Sequence, residues 1–70
     1  MEEVSIRDEF IKLGQAMKLA GLADFGSEAK EAIQGGQVQV NGETELRRGR
    51  KLVPGDTVTY QGKTVRIGKA

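Results

Sequence analysis

The 70-residue chain contains no cysteine, no histidine and no tryptophan, and its only aromatic residues are Phe10, Phe25 and Tyr60. Without cysteine there is no disulfide staple, and without cysteine or histidine the soft metal ligands that support many very small folds are missing too. The same absence removes the commonest general base near neutral pH and the thiol nucleophile, and leaves Ser5 and Ser27 with no histidine to activate them. Apolar runs are short, as at Ala16-Met17 and Leu52-Val53, far below the roughly 20 residues of a membrane-spanning helix. The first residues, Met1-Glu2-Glu3-Val4, are acidic and lack the apolar segment of a secretory signal. These absences point to a cytoplasmic protein that is not an enzyme and uses no cofactor, metal, small-molecule substrate or membrane. A chain this short buries only about 60% of its unfolded surface, so one domain over residues 1–70, with a thin apolar core, is expected.

Two residue classes are abundant, and neither carries catalytic chemistry. The acidic side chains Glu2, Glu3, Asp8, Glu9, Glu28, Glu31, Glu43 and Glu45 match no spacing for paired-carboxylate hydrolysis or a hard cation, and are read as a solvated face. Ten glycines are present, but no phosphate-cradling pattern sits between a strand and a helix. They read as turn residues.

Val4-Ser5-Ile6 alternates like a half-buried strand, and Phe10-Ile11 answers it across a turn at Arg7-Asp8 as a hairpin. From Leu13 the period changes. Leu13, Ala16, Met17 and Ala20 fall on one helical face, and Gly21 supplies the stop. Ser27 is a candidate N-cap for a second helix with the apolar stripe Ala29, Ala32 and Ile33, ended by Gly35-Gly36. Thereafter the chain is strand and turn. Gln37 to Val40 alternates into Asn41-Gly42, a type I′ signal; Pro54-Gly55 marks a turn; Thr57 to Tyr60 and Lys63 to Ile67 flank Gln61-Gly62. The expected fold class is α+β, two short helices packed on a small, mostly antiparallel sheet. Phe10 and Phe25 are expected in its core.

Charge divides along the chain. Residues 1–45 hold four basic and nine acidic side chains, a net −5, whereas residues 46–70 hold seven basic side chains and only Asp56, a net +6. So uneven a distribution orients an anionic partner even when the whole chain is near neutrality. The densest feature is Arg47-Arg48-Gly49-Arg50-Lys51. It reads either as a charged loop kept for solubility and partly compensated by Glu43 and Glu45, or as a phosphate clamp in which arginine forks hold phosphate oxygens and Gly49 admits close approach. Lys12, Gln15 and Lys18 on the first helix, and Lys30 and Gln34 on the second, could extend such a patch. With so few aromatics to stack on, folded or double-helical RNA fits better than an unpaired strand.

The run from Ser27 to Gly42, SEAKEAIQGGQVQVNG, resembles the signature of the RNA-binding domain named after small-subunit ribosomal protein S-four, also called the alpha-L motif, and Pro54-Gly55-Asp56-Thr57-Val58 resembles its later turn before a strand. Ile11 to Gln15, Asn41-Gly42-Glu43 and Arg47 to Leu52 look more narrowly like its stand-alone bacterial members, the group that includes the YbcJ and YaaA types. The similarity spans about residues 4–67. It implies RNA bound over the helix pair and an adjoining loop, with Lys30 at the basic position after the second helix's alanine, and with Gly26 where many members carry arginine. The candidate RNA-contacting set is Lys12, Gln15, Lys18, Lys30, Gln34, Asn41, Arg47, Arg48, Arg50 and Lys51. The resemblance implies structured RNA, ribosomal or transfer RNA, as the partner, with the ribosome or a ribosomal subunit as its setting. The alternative is a protein-interaction module in a ribosome-associated assembly.

Overall fold

The computed structural model describes residues 2–70. In chain order it contains β1 (Glu2–Ile6), β2 (Ile11–Lys12), α1 (Leu13–Leu19), α2 (Gly26–Gln34), β3 (Val38–Val40), β4 (Glu43–Thr44), β5 (Lys51–Leu52), β6 (Thr57–Tyr60) and β7 (Lys63–Lys69). Five strands form one sheet in the order β1-β7-β6-β3-β4, and β2 pairs with β5 in a separate two-stranded ladder. Every pairing is antiparallel except β1 with β7. The α+β architecture of two helices on a mostly antiparallel sheet is therefore present.

The turns follow their chemistry. Asn41 and Gly42 have φ of 53° and 84°, and Gln61 and Gly62 have 50° and 77°, the double positive φ of a type I′ hairpin. They join β3 to β4 and β6 to β7. The Asn41 side chain secures its corner: Nδ2 donates to Asp56 Oδ1 at 3.0 Å, and Oδ1 accepts the Thr57 N–H at 2.9 Å. α1 ends at the C-cap Ala20, and Gly21 takes a φ of 75°, a conformation in which other residues are strained.

The core joins Leu13, Ala16 and Met17 of α1 and Ala29, Ala32 and Ile33 of α2 to the inward residues of the sheet, among them Val38, Val40, Val58, Tyr60, Val65 and Ile67. The alanine-rich stripes let the helices lie close to each other and to the sheet. No helix among the described residues is long and apolar enough to cross a membrane.

Three expectations require correction. β1 and the Phe10-Ile11 segment form no hairpin. β1 runs parallel to β7, with Val4 opposite Ile67, and Ile11 instead faces Leu52. Each apolar residue finds a deeper partner across the fold than the local turn would offer. Ser27 is not the N-cap of α2. Phe25 holds that place with extended backbone, and Gly26 begins the helix. Glu28 completes the start by accepting the Asp24 N–H at 3.3 Å, a reach-back related to the capping box. Finally, Phe10 and Phe25 are not core residues; they are 39% and 69% exposed.

Candidate nucleic-acid interface

The basic loop is built onto α1 by backbone bonds. A helix start leaves N–H groups without intrahelical partners, and Lys12, at the N-cap, offers no side-chain bond. Two of those donors are satisfied from the loop, Leu13 N–H by the Arg50 carbonyl at 2.8 Å and Gly14 N–H by the Arg48 carbonyl at 3.1 Å. The β2–β5 ladder continues the seam, pairing Ile11 with Leu52 and Lys12 with Lys51. Leu52 is fully buried and anchors it. Residues 47–51 are thereby held against the first turn of α1.

Glu45 decides how the cluster's charge is used. Its carboxylate was expected on a solvated face, but the residue is only 7% exposed. Oε2 accepts the N–H groups of Leu46 and Arg47 and the Arg47 Nε–H, each at 3.1 Å. Oε1 accepts from Arg50 Nη1 at 2.8 Å and Arg47 Nη2 at 3.3 Å. The side-chain bonds from Arg47, then from Arg50, hold the Glu45 carboxyl at about 2, well below its ordinary value. Arg47 is held more firmly protonated in return. Two of the four cations are therefore compensated within the chain, by Glu45 and not by Glu43.

The other two face outward. Arg48 lies across Gly14, where a Cβ would come within 2.9 Å of its Cγ, so glycine is what allows the guanidinium stem to cross the helix. Lys51 places Nζ 4.7 Å from the centre of the Phe10 ring. Lys51 also stands directly opposite Lys12 in the ladder, a like-charge placement that is unfavourable unless an anion lies near.

Lys12, Gly14, Gln15, Lys18, Gly26, Arg48 and Gly49 line a single cleft of about 320 Å³. Among the described residues, no acidic one lines it. Lys18 reaches toward the start of α2, its Nζ lying 3.9 Å from where a Gly26 Cβ would be. Lys30 is one turn beyond Gly26 on the same row of α2, and Gln34 one turn further. Both are exposed and lie outside the cleft. Of the expected residues, the structure thus gathers Lys12, Gln15, Lys18 and Arg48, with Lys51 on the flank. Arg47 and Arg50 are turned to Glu45, and Asn41 is occupied with Asp56 and Thr57. Gly14 and Gly26 were not foreseen as cleft residues. A glycine at the start of an apolar helical stripe, where alanine is favoured, was the available signal for Gly14.

Comparison with known proteins places this geometry. YbcJ of Escherichia coli (strain K12) is 40% identical over 57 residues, 81% of each chain. RlbA of Bacillus subtilis (strain 168), named as a probable ribosome maturation protein, is 46% identical over 59 residues, covering 84% of this chain and 83% of its own. The solution structure of E. coli YbcJ, described as revealing an alpha-L motif involved in RNA-binding, superposes with a TM-score of 0.75 at 36% identity, covering 97% of this chain and 87% of that one. The model of the S4 domain matches residues 4–68, and the chain belongs to that family.

Proposed function

We propose that this protein binds structured RNA, in ribosomal or transfer RNA of the translation apparatus, by seating its phosphate backbone in the cleft between α1, the start of α2 and the 47–51 loop. The observation that carries this reading is the convergence of Lys12, Lys18 and Arg48 on a cleft that no acidic residue lines among the described residues. Cations held this close without carboxylates repel one another and gain most from a polyanion. Arg48 supplies a planar fork suited to two phosphate oxygens, and the two lysines supply point charges on flexible stems.

Arg47 and Arg50 shape the loop while Arg48 and Lys51 meet the ligand. Lys30 and Gln34 extend the surface along α2, where a second stretch of backbone would pass. The described similarity of YbcJ to an RNA-binding motif and the name of RlbA support RNA as the ligand and the ribosome as its setting. The chain acts by binding, in the cytoplasm, without catalysis of its own.

An amide NMR titration with a short RNA hairpin and a matched DNA hairpin tests the assignment. Shifts concentrated at Lys12 to Lys18, Gly26, Lys30 and Arg48 to Lys51, larger with RNA, are expected. Absence of shifts at sub-millimolar RNA would remove it and turn attention to a protein partner.

A further inference from the structure

Beside the phosphate cleft lies a second, wider depression of about 640 Å³, whose walls include Phe10, Leu19, Asp8, Gln15 and Lys18. Gln15 and Lys18 line both depressions, so the two form one continuous surface over α1. Phe10 and Leu19 are 39% and 60% exposed. Large apolar side chains left in water on so small a protein mark a contact surface when they lie together.

We infer that this groove holds one unpaired nucleobase of the bound RNA, stacked on Phe10 and packed against Leu19. The inference rests on the RNA-binding reading above. The chemistry of the groove matches a nucleotide part by part. Its apolar wall offers a π-face and an aliphatic edge to a base. Its lining carries two cations, Arg7 and Lys18, the latter shared with the phosphate cleft, for the sugar-phosphate chain on either side of the base, while Lys51 lies outside that lining, 4.7 Å from the centre of the Phe10 ring. Asp8 and Gln15 supply acceptors, and Gln15 also a donor, for the polar edge of a base. A helical RNA with a bulged or terminal unpaired nucleotide is then a better ligand than a perfectly paired one, because its backbone fills the first cleft while its free base fills the second.

Three RNA hairpins of identical stem test this: one fully paired, one with a single unpaired adenosine, and one with an abasic nucleotide in that position. The unpaired adenosine is expected to tighten binding roughly 5- to 150-fold over the abasic hairpin, as stacking of one base implies. Phe10→Leu keeps apolar packing but loses the ring, and Leu19→Ser changes a side chain that is largely in water. In both variants the adenosine-to-abasic ratio is expected to fall toward one, each variant being referred to its own affinity for the paired hairpin. Equal binding of adenosine and abasic hairpins by the unmodified protein would overturn the base site and leave the phosphate cleft standing. A preference that persists in both variants would also overturn it. Failure of all three hairpins to bind would overturn the RNA reading itself.

Discussion

Arg50 places its Nη1 2.8 Å from Glu45 Oε1, and this contact divides the basic segment into two working halves. The guanidinium on the Glu45 side is spent on folding the loop, together with Arg47. The cations between and beyond them, Arg48 and Lys51, are left to face outward. A run of like charges that looks uniform in sequence is thus two arginines paired with Glu45, Arg47 still largely exposed and Arg50 partly covered, alternating with two cations that have no carboxylate partner among the described residues.

Separating the two roles is straightforward by substitution. Arg50→Ala is expected to lower the urea midpoint and speed amide exchange at Leu46 and Arg47 several-fold, because it leaves a buried carboxylate short of a partner. Arg48→Ala is expected to leave stability within about 0.5 kcal/mol, as for an exposed side chain, while weakening RNA binding. Equal loss of stability in both variants would contradict the division.

The Glu45 clamp has a pH signature. Its folded-state carboxyl is held at about 2 against an ordinary 4.5, so between these values the unfolded chain binds more protons than the folded one. The clamp's contribution is therefore complete above about pH 4.5 and is lost as pH falls toward 2. The difference in urea midpoint between the unmodified protein and Glu45→Gln is expected to be constant from pH 5 to 7 and to close toward pH 2. A gap unchanged down to pH 2 would mean that the arginine bonds do not set this carboxyl.

Gly14→Ala tests the close crossing of Arg48 over α1. The added methyl meets Arg48 Cγ at 2.9 Å and must push it aside. Alanine improves the helix by up to about 1 kcal/mol, which offsets part of the strain. Stability is expected to change by less than about 1 kcal/mol, while RNA affinity falls several-fold although no charge has been removed. Unchanged affinity in a folded Gly14→Ala protein would show that Arg48 does not need this path.

Leu52→Ala should be far more damaging than its place in a two-residue strand suggests. Leu52 is fully buried and pairs with Ile11, so its truncation is expected to cost about 2–5 kcal/mol. A domain of this size has only roughly 4–10 kcal/mol in all. Thermal melting of the variant would show a large fall in midpoint or loss of the transition.

Local patterns in the chain carried much of this fold. The spacing of Leu13, Ala16 and Met17 with Gly21 marked α1 to within a residue of its end, and Asn41-Gly42 and Gln61-Gly62 marked their hairpins, because each signal depends only on neighbouring residues. What escaped was non-local. Nothing near Val4 announces Ile67 as its partner, and the ladder of Lys12 with Lys51 joins segments from opposite sides of the helix pair. The apolar ring of Phe25 points to the core, yet Phe25 stands as the extended N-cap of α2 and lies in water. The candidate site was legible as residue types but not as geometry. Lys12, Lys18 and Arg48 are legible as cations, whereas the pairing of Arg47 and Arg50 with Glu45 depends on the burial of Glu45, which no local pattern announces.

The salt dependence of RNA affinity reads out the phosphate contacts of the cleft. With a paired hairpin between about 50 and 200 mM monovalent salt, the slope of log affinity against log salt is expected to be roughly −2 to −4 for the unmodified protein, and about two units shallower for Lys18→Ala/Arg48→Ala. A slope near zero, or one that the double substitution leaves unchanged, would contradict a phosphate-binding cleft at these residues.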